Sequence, residues 1–151
     1  GITVKASAGA VNGDTGVLYG DTFTVVNLST LKSMRLNNDD VTKVCTSLVT
    51  DMSQLFYADQ IWNQDISAWD VSNVTNMENM FYFATSFNMN IGSWDVSSVT
   101  DMQFMFFGAD DFAQYISSWD VSNVTSCGSF IDQGSPLTNE QLPQFTGCNP
   151  F

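Results

Sequence analysis

Apolar residues recur along most of the chain at a spacing near three, and the pattern itself repeats every 25 residues. One unit has its apolar residues at Trp69, Val71, Val74, Met77, Met80, Phe81, Ala84, Phe87 and Ile91. This spacing is neither the two of a long strand nor a sustained helical stripe. It predicts a short strand around Ser72–Met77, a helical or 3₁₀ turn around Glu78–Ala84, and a loop that returns through Phe87 and Ile91.

The repeat predicts that successive units stack. Trp69, Trp94 and Trp119 are 25 residues apart, and a Val-Thr pair occurs four times, first at 49–50. A unit of this length cannot bury its apolar side alone and must pack on its neighbours. The first and last units depart from the pattern, as terminal repeats do. We therefore expect an α/β solenoid of about four coils.

The sequence also suggests where the repeats end. Leu18–Val26 reads as a hairpin around Gly20-Asp21, and Ser29 is a candidate N-cap for a following helix. The expected organisation is a tail or linker at 1–11, an N-terminal cap (hairpin plus helix) at 12–43, four repeats at 44–134, and a C-terminal cap at 135–151.

The repeat xWDVSxVTxMxxMFxxAxxFNxxI resembles the BspA-type leucine-rich-repeat-like repeats of bacterial surface proteins. The resemblance covers roughly residues 41–131. It implies a right-handed leucine-rich-repeat-like solenoid with short parallel strands and short helical turns. It also implies export to the cell surface and a role in adhesion or recognition, without catalytic residues.

Charge narrows the choice of partners. The chain has 16 acidic and 4 basic residues, a net charge of -12, and no Lys or Arg after Lys43. Such a surface repels phosphate backbones, so we expect no nucleic-acid partner. Anionic membrane surfaces are disfavoured for the same reason. No apolar stretch approaches the ~18 residues of a membrane span, so we expect no membrane insertion.

Catalysis has few candidate residues. The chain has no histidine, which excludes Ser-His-Asp and Cys-His arrangements. A carbohydrate-active enzyme with two carboxylates about 5–10 Å apart in a concave pocket is the alternative to a binding protein. We expect no enzyme and no cofactor.

Two columns of acids follow the repeat. Asp70, Asp95 and Asp120 each precede a Val-Ser pair. Stacked carboxylates could hold Ca²⁺, but an Asx-turn, in which each carboxylate accepts from the Ser backbone N–H, explains the same pattern. The second column, Asp51 and Asp101, is expected to be solvated.

A threonine column recurs as Thr50, Thr75, Thr100 and Thr125. A flat threonine ladder could order ice, which makes ice binding a further alternative. Hydroxyl hydrogen bonds between coils and the β-propensity of threonine explain the column as well.

The three cysteines suit an exported chain. Cys45 and Cys127 are three coils apart, about 15 Å at the spacing of strands, and a bridge needs less than about 7 Å. We therefore predict a Cys127–Cys148 disulfide and a buried free thiol at Cys45.

Aromatic residues are the candidates for binding. Tyr57, Tyr82 and Phe107 share one repeat position, whereas Phe83, Phe104 and Tyr115 occupy positions where other copies carry smaller or polar residues. Exposed aromatic clusters mark recognition surfaces. Packing as cover over the turns is the competing interpretation. The complete set of predicted binding residues is Tyr57, Tyr82, Phe83, Phe104, Phe107, Tyr115, Asp110 and Asp111.

Together these features predict a non-catalytic adhesion or recognition module, displayed outside the cell, that binds a protein or glycan on another cell or surface. The small-residue start GITVKASAGA suggests the tip of a longer fibre or surface protein, with an oligomer formed through the N-terminal region. A purely architectural spacer is a further alternative.

Overall fold

A computed structural model describes residues 2–151 of the chain. Its strands and its helix lie in the N-terminal third: β1 (Thr15–Leu18), β2 (Asp21–Val25), α1 (Leu28–Asn37) and β3 (Val44–Cys45). The three strands form one sheet in the order β1-β2-β3. β1 and β2 pair antiparallel, with Thr15 opposite Thr24, and β2 pairs parallel with β3, with Val25 opposite Cys45.

The hairpin and the helix form because of local signals at their ends. Tyr19 and Gly20, with φ of 51° and 90°, connect β1 to β2; two residues of positive φ make a turn whose twist matches the strands. The helix is capped by Asn27, whose side chain accepts from the Thr30 N–H at 3.0 Å. The predicted N-cap, Ser29, is therefore wrong; it lies inside α1 and its hydroxyl donates to Asn27.

The N-terminal segment packs on the rest of the chain. The Val4 N–H donates to the Ala68 carbonyl at 2.9 Å, and the Val4 carbonyl accepts from the buried Cys45 thiol at 3.2 Å. Val4 is only 8% exposed and forms a small core with Val25 and Cys45. This segment therefore covers the sheet rather than extending from it.

The predicted fold class is wrong. The structure has one ten-residue helix and one three-stranded sheet, and it is not an α/β, leucine-rich-repeat-like solenoid of four coils with a strand and a helical turn in each. Among residues 46–151, pairing of the strand type is limited to the isolated parallel bridges Asp51–Asn76, Asn76–Asp101 and Asp101–Ser126. The expected strand at Ser72–Met77 reduces to the single bridge residue Asn76, and Glu78–Ala84 forms turns instead of a helix.

The reason lies in how the backbone N–H groups alternate. In one unit the N–H groups of Met77, Asn79 and Phe81 donate to carbonyls of the next unit, at 2.9 Å each. Of the N–H groups that alternate with these, those of Met80 and Tyr82 donate three residues back within their own turn, and that of Glu78 donates to the Asn76 side chain. A helix needs consecutive local bonds and a strand needs an unbroken ladder. The alternation satisfies the backbone without forming either one.

The repeated apolar positions nevertheless form the core. Phe81 stacks between Phe56 and Phe106, with ring centroids at 5.3 and 5.4 Å. Trp94 lies 6.5 Å from both Trp69 and Trp119, nearly parallel to each. Buried aromatic rings in offset stacks are among the largest contributions to core stability. The repeat therefore specifies columns of side chains more strongly than it specifies secondary structure.

Candidate functional site

Tyr57, Tyr82 and Phe107 form a column on the surface. The rings of Tyr57 and Tyr82 stack at 4.9 Å and 12°, and those of Tyr82 and Phe107 at 5.6 Å and 14°. Each residue follows a buried phenylalanine, such as Phe81 before Tyr82. Because the backbone alternates along this segment, the residue after a core phenylalanine points outward.

Phe83 and Phe104 join that column into one cluster. Phe83 meets Tyr82 at 4.8 Å and 72°, and Phe104 meets it at 6.2 Å and 79°. Both phenylalanines also contact Phe107, at 5.8 and 6.0 Å. We call this cluster the aromatic surface; it consists of Tyr57, Tyr82, Phe83, Phe104 and Phe107.

Both added phenylalanines have strained backbones. Phe83 has a φ of 52° and Phe104 a φ of 54°, in the left-handed region that costs a residue with a Cβ about 1 kcal/mol or more. The other copies are also left-handed here: Ala58 and Gly108 occupy the repeat position of Phe83, and Gln54, Asn79 and Ser129 occupy that of Phe104. The left-handed backbone therefore belongs to the repeat, and what distinguishes Phe83 and Phe104 is a large apolar ring where the other copies carry small or polar side chains.

The aromatic surface is open to solvent. Tyr57 is 47% and Phe83 40% exposed, and the other three rings are half-buried. The Phe83 ring lies on Gly108, where a Cβ would come within 2.8 Å of ring atom Cδ1. The rings therefore hold one another in place while their outer parts remain accessible.

Three of the predicted binding residues lie outside the aromatic surface. Tyr115 is 67% exposed, but it lines a separate groove with Met89 and Gly92 and makes no ring contact with the aromatic surface. Asp110 and Asp111 are exposed and, within residues 2–151, take part in no ion pair. Only the five rings of the aromatic surface form one contiguous site.

Three polar residues beside the aromatic surface were not predicted as site residues. Gln54, Glu78 and Asn79 line a groove of about 370 Å³ together with Tyr57, Tyr82 and Phe104. Glu78 is half-buried, and its carboxylate accepts from the Asn79 side chain at 2.9 Å. The available signal was weak, because glutamate occurs at this repeat position in one copy only.

The first acid column forms Asx-turns. Asp70, Asp95 and Asp120 each accept from the backbone N–H of the serine two residues on, at 3.2, 3.2 and 3.0 Å. In the part of the chain that the structure describes, no group of three or more side chains could hold a metal ion. These carboxylates thus have a structural role in starting each turn.

Asp70 differs from the other members of its column. It is buried, accepts also from the Ser47 hydroxyl, and lies 3.6 Å from the Lys5 ammonium. Burial alone would raise the pKa of the Asp70 carboxyl, but the hydrogen bonds from Ser47 and Ser72 and the charge of Lys5 outweigh it, so the pKa lies below its ordinary value. Through Lys5 and Ser47, Asp70 links the N-terminal segment to the first repeats.

The remaining columns also have structural partners. Asp51 and Asp101, expected to be solvated, are bridge residues whose carboxylates each accept from a backbone N–H two residues on. The Thr75 and Thr100 hydroxyls donate to the threonine carbonyl of the preceding unit, at 3.2 and 3.1 Å. The expected hydroxyl bonds between units are therefore present.

The cysteine predictions are confirmed. Cys127 and Cys148 form a disulfide with Cα atoms 5.8 Å apart, and Cys45 is a buried free cysteine. The bridge fastens the C-terminal segment, in which Phe145 packs on Phe130 at 5.0 Å.

A carbohydrate-active enzyme, the alternative function, would need two carboxylates in one groove, and five surface grooves can be compared with that requirement. Each groove is lined by a single carboxylate, respectively Asp14, Asp59, Glu78, Asp132 and Asp65. A glycosidase places two carboxyl groups on either side of the scissile bond. None of these five grooves provides such a pair.

Comparison with known protein families identifies a match over most of the chain. Residues 26–145 match the family described as Mycoplasma protein of unknown function, DUF285. No curated protein and no solved structure matches the chain. Within residues 2–151, no helix is both long enough and apolar enough to cross a membrane.

Proposed function

The chain belongs to the DUF285 family, whose description assigns no activity, and from its surface we propose that it is a non-catalytic recognition module. In this proposal the aromatic surface binds a protein or glycan on another cell. The observation that carries it is the presence of Phe83 and Phe104, two bulky residues that join the ring cluster in left-handed conformations. Other copies carry Ala58 and Gly108, or Gln54, Asn79 and Ser129, at these two positions, so the repeat does not require a ring at either one.

The shape of the site also supports binding rather than architecture. A spacer has no need for rings that are 47% and 40% exposed, as Tyr57 and Phe83 are. Contiguous exposed aromatics supply rigid apolar contact area at low cost in conformational entropy, and they are enriched where proteins bind partners. The expected partner buries these rings and is held by their fixed arrangement.

The disulfide and the net charge of the chain support a location outside the cell. The Cys127–Cys148 bridge persists in oxidising compartments and is rare in the cytosol. The excess of 16 acids over 4 bases favours partners other than nucleic acids. We therefore place the module on an exported protein, facing a partner that is neutral or basic.

The test is a binding screen with a matched variant. Purified protein is applied to a glycan array and to whole cells, beside the double variant Phe83→Ala, Phe104→Asn, which carries the residues of Ala58 and Asn79 at these positions. We expect the unmodified protein to bind in one of the two screens and the variant to lose that binding while melting at a similar temperature. Equal binding by the folded variant would contradict the proposal.

A further inference from the structure

The groove beside the aromatic surface combines rings with one carboxylate. Tyr57 and Tyr82 stack at 4.9 Å, and the Phe104 ring stands at 79° to that of Tyr82. Tyr82 has Tyr57 and Phe107 stacked on its two sides. The other two rings that line this groove are Tyr57, which is 47% exposed, and Phe104, which is half-buried.

Glu78 adds a negative charge to the same groove. Its carboxylate accepts a hydrogen bond from Asn79 at 2.9 Å, and none of the three ion pairs among residues 2–151 involves Glu78. A half-buried carboxylate with a neutral partner attracts a cation more strongly than a fully solvated one does. The aromatic rings nearby attract cations as well, through the ring quadrupole.

The chain itself has few cations to offer this groove. Three of the four basic residues are paired: Arg35 with Asp59 at 3.0 Å, Lys43 with Asp21 at 2.8 Å, and Lys5 with Asp70 at 3.6 Å. The fourth, Lys32, is exposed on α1 and forms no ion pair among residues 2–151. After Lys43 the sequence contains twelve acids and no Lys or Arg. The field over the repeats is negative, and it steers basic partners toward them.

We propose that this groove binds the alkylammonium group of a lysine side chain on a partner protein. The ammonium pairs with Glu78, and the methylene stem of the lysine packs on Tyr57 and Phe104. The side-chain amide oxygens of Gln54 and Asn79 can accept hydrogen bonds from the remaining ammonium N–H groups. This inference rests on the proposed recognition function and specifies the partner as a basic protein surface.

A peptide titration followed by NMR tests the inference. The probe is a short glycine peptide with one central lysine, and its control carries norleucine, which has a similar stem without the charge. We expect saturable shifts of the Tyr57 and Phe104 ring resonances with the lysine peptide alone. Glu78→Gln, which keeps the oxygen that accepts from Asn79, should weaken binding about fivefold, whereas Asp110→Asn at another exposed acid should not change it.

Three results would overturn the inference: no saturable shift, equal shifts with the norleucine peptide, or equal weakening by the two acid variants. Binding of phosphocholine without binding of the lysine peptide would also overturn it, because the cation would then come from a lipid headgroup. A different result separates the lysine site from the proposed recognition function. If Glu78→Gln leaves cell or glycan binding intact while Phe83→Ala with Phe104→Asn abolishes it, recognition stands and the lysine site does not.

Discussion

The Phe83 ring lies so close to Gly108 that a methyl group on the glycine would sit 2.8 Å from ring atom Cδ1. Gly108 also has a φ of 69°. The two residues share one repeat position in successive units, so the glycine of one copy makes room for the phenylalanine of the other.

Replacing Gly108 by alanine should therefore displace Phe83. We expect Gly108→Ala to destabilise the protein by about 1–2 kcal/mol, because the left-handed backbone and the clash both oppose a Cβ. The contacts between the Phe83 and Tyr82 rings, seen as NOEs, should weaken. Gly128→Ala is the control, since nothing lies within 4 Å of its Cβ position. Similar unfolding free energies for the two variants would show that Phe83 does not depend on Gly108.

The second prediction concerns Phe104, which has a left-handed backbone. Phe104→Asn relieves the left-handed strain while removing half-buried ring contacts, so the free energy of unfolding should change by less than about 1 kcal/mol. Phe81→Ala in the core should cost about 3–5 kcal/mol, since Phe81 is fully buried. Urea unfolding of both variants measures the difference. A large loss of stability in Phe104→Asn would assign that ring to the core.

Two buried tryptophans, Trp62 and Trp69, should respond differently to substitution by phenylalanine. The Trp69 indole N–H donates to the Val41 carbonyl at 3.0 Å, whereas that of Trp62 is buried and has no hydrogen-bond acceptor among residues 2–151. Phe87 and Phe112 occupy the repeat position of Trp62.

We therefore expect Trp62→Phe to cost less than about 1 kcal/mol, because the lost packing is offset by removal of an unpaired polar group. Trp69→Phe should cost about 2 kcal/mol or more, because it also takes away a hydrogen bond. Thermal or urea unfolding compares the two free energies. The opposite order would mean that the Trp62 N–H has a partner in solution.

Asp70 should give the protein part of its sensitivity to acid. The folded-state pKa of Asp70 lies below its ordinary value, so the stabilisation is fully present above the unfolded pKa, near 3.9. It is lost as the pH falls through the lower, folded-state value.

Asp70→Ala should accordingly destabilise the protein by about 2 kcal/mol at pH 7, and the difference from the unmodified protein should shrink below about pH 4. Asp95→Ala, which removes an Asx-turn without the bonds from Ser47 and Lys5, should cost less. Unfolding measured from pH 7 to pH 2 tests this. A difference that stays constant over that range would exclude a carboxylate effect.

Several features were predictable because they follow from fixed sequence intervals. The 25-residue period predicts that Phe56, Phe81 and Phe106 lie in one buried stack, as they do. The repeated Asp-Val-Ser sequence predicts the Asx-turns. Secondary structure was not predictable in the same way, because left-handed residues such as Gln54 and Asn79 interrupt both ladder and helix. Neither residue is a glycine, which is the usual signal for that conformation.

The site was predictable only in part. Tyr57, Tyr82 and Phe107 share a repeat position, so their stacking follows from the period. That Phe83 and Phe104 reach the same cluster while Tyr115 does not depends on the turn geometry, which the wrong fold class could not provide. Glu78 occurs in one copy only, so no periodic signal pointed to it.

The most direct test of the central claim compares two exposed aromatic positions. Binding of the protein to its target cells is titrated for Phe104→Asn, within the aromatic surface, and for Tyr115→Ser, outside it. If the aromatic surface is the binding site, Phe104→Asn should weaken binding at least about tenfold and Tyr115→Ser should leave it unchanged, with both variants folded. Equal binding by the two variants, or loss of binding in Tyr115→Ser alone, would contradict the account.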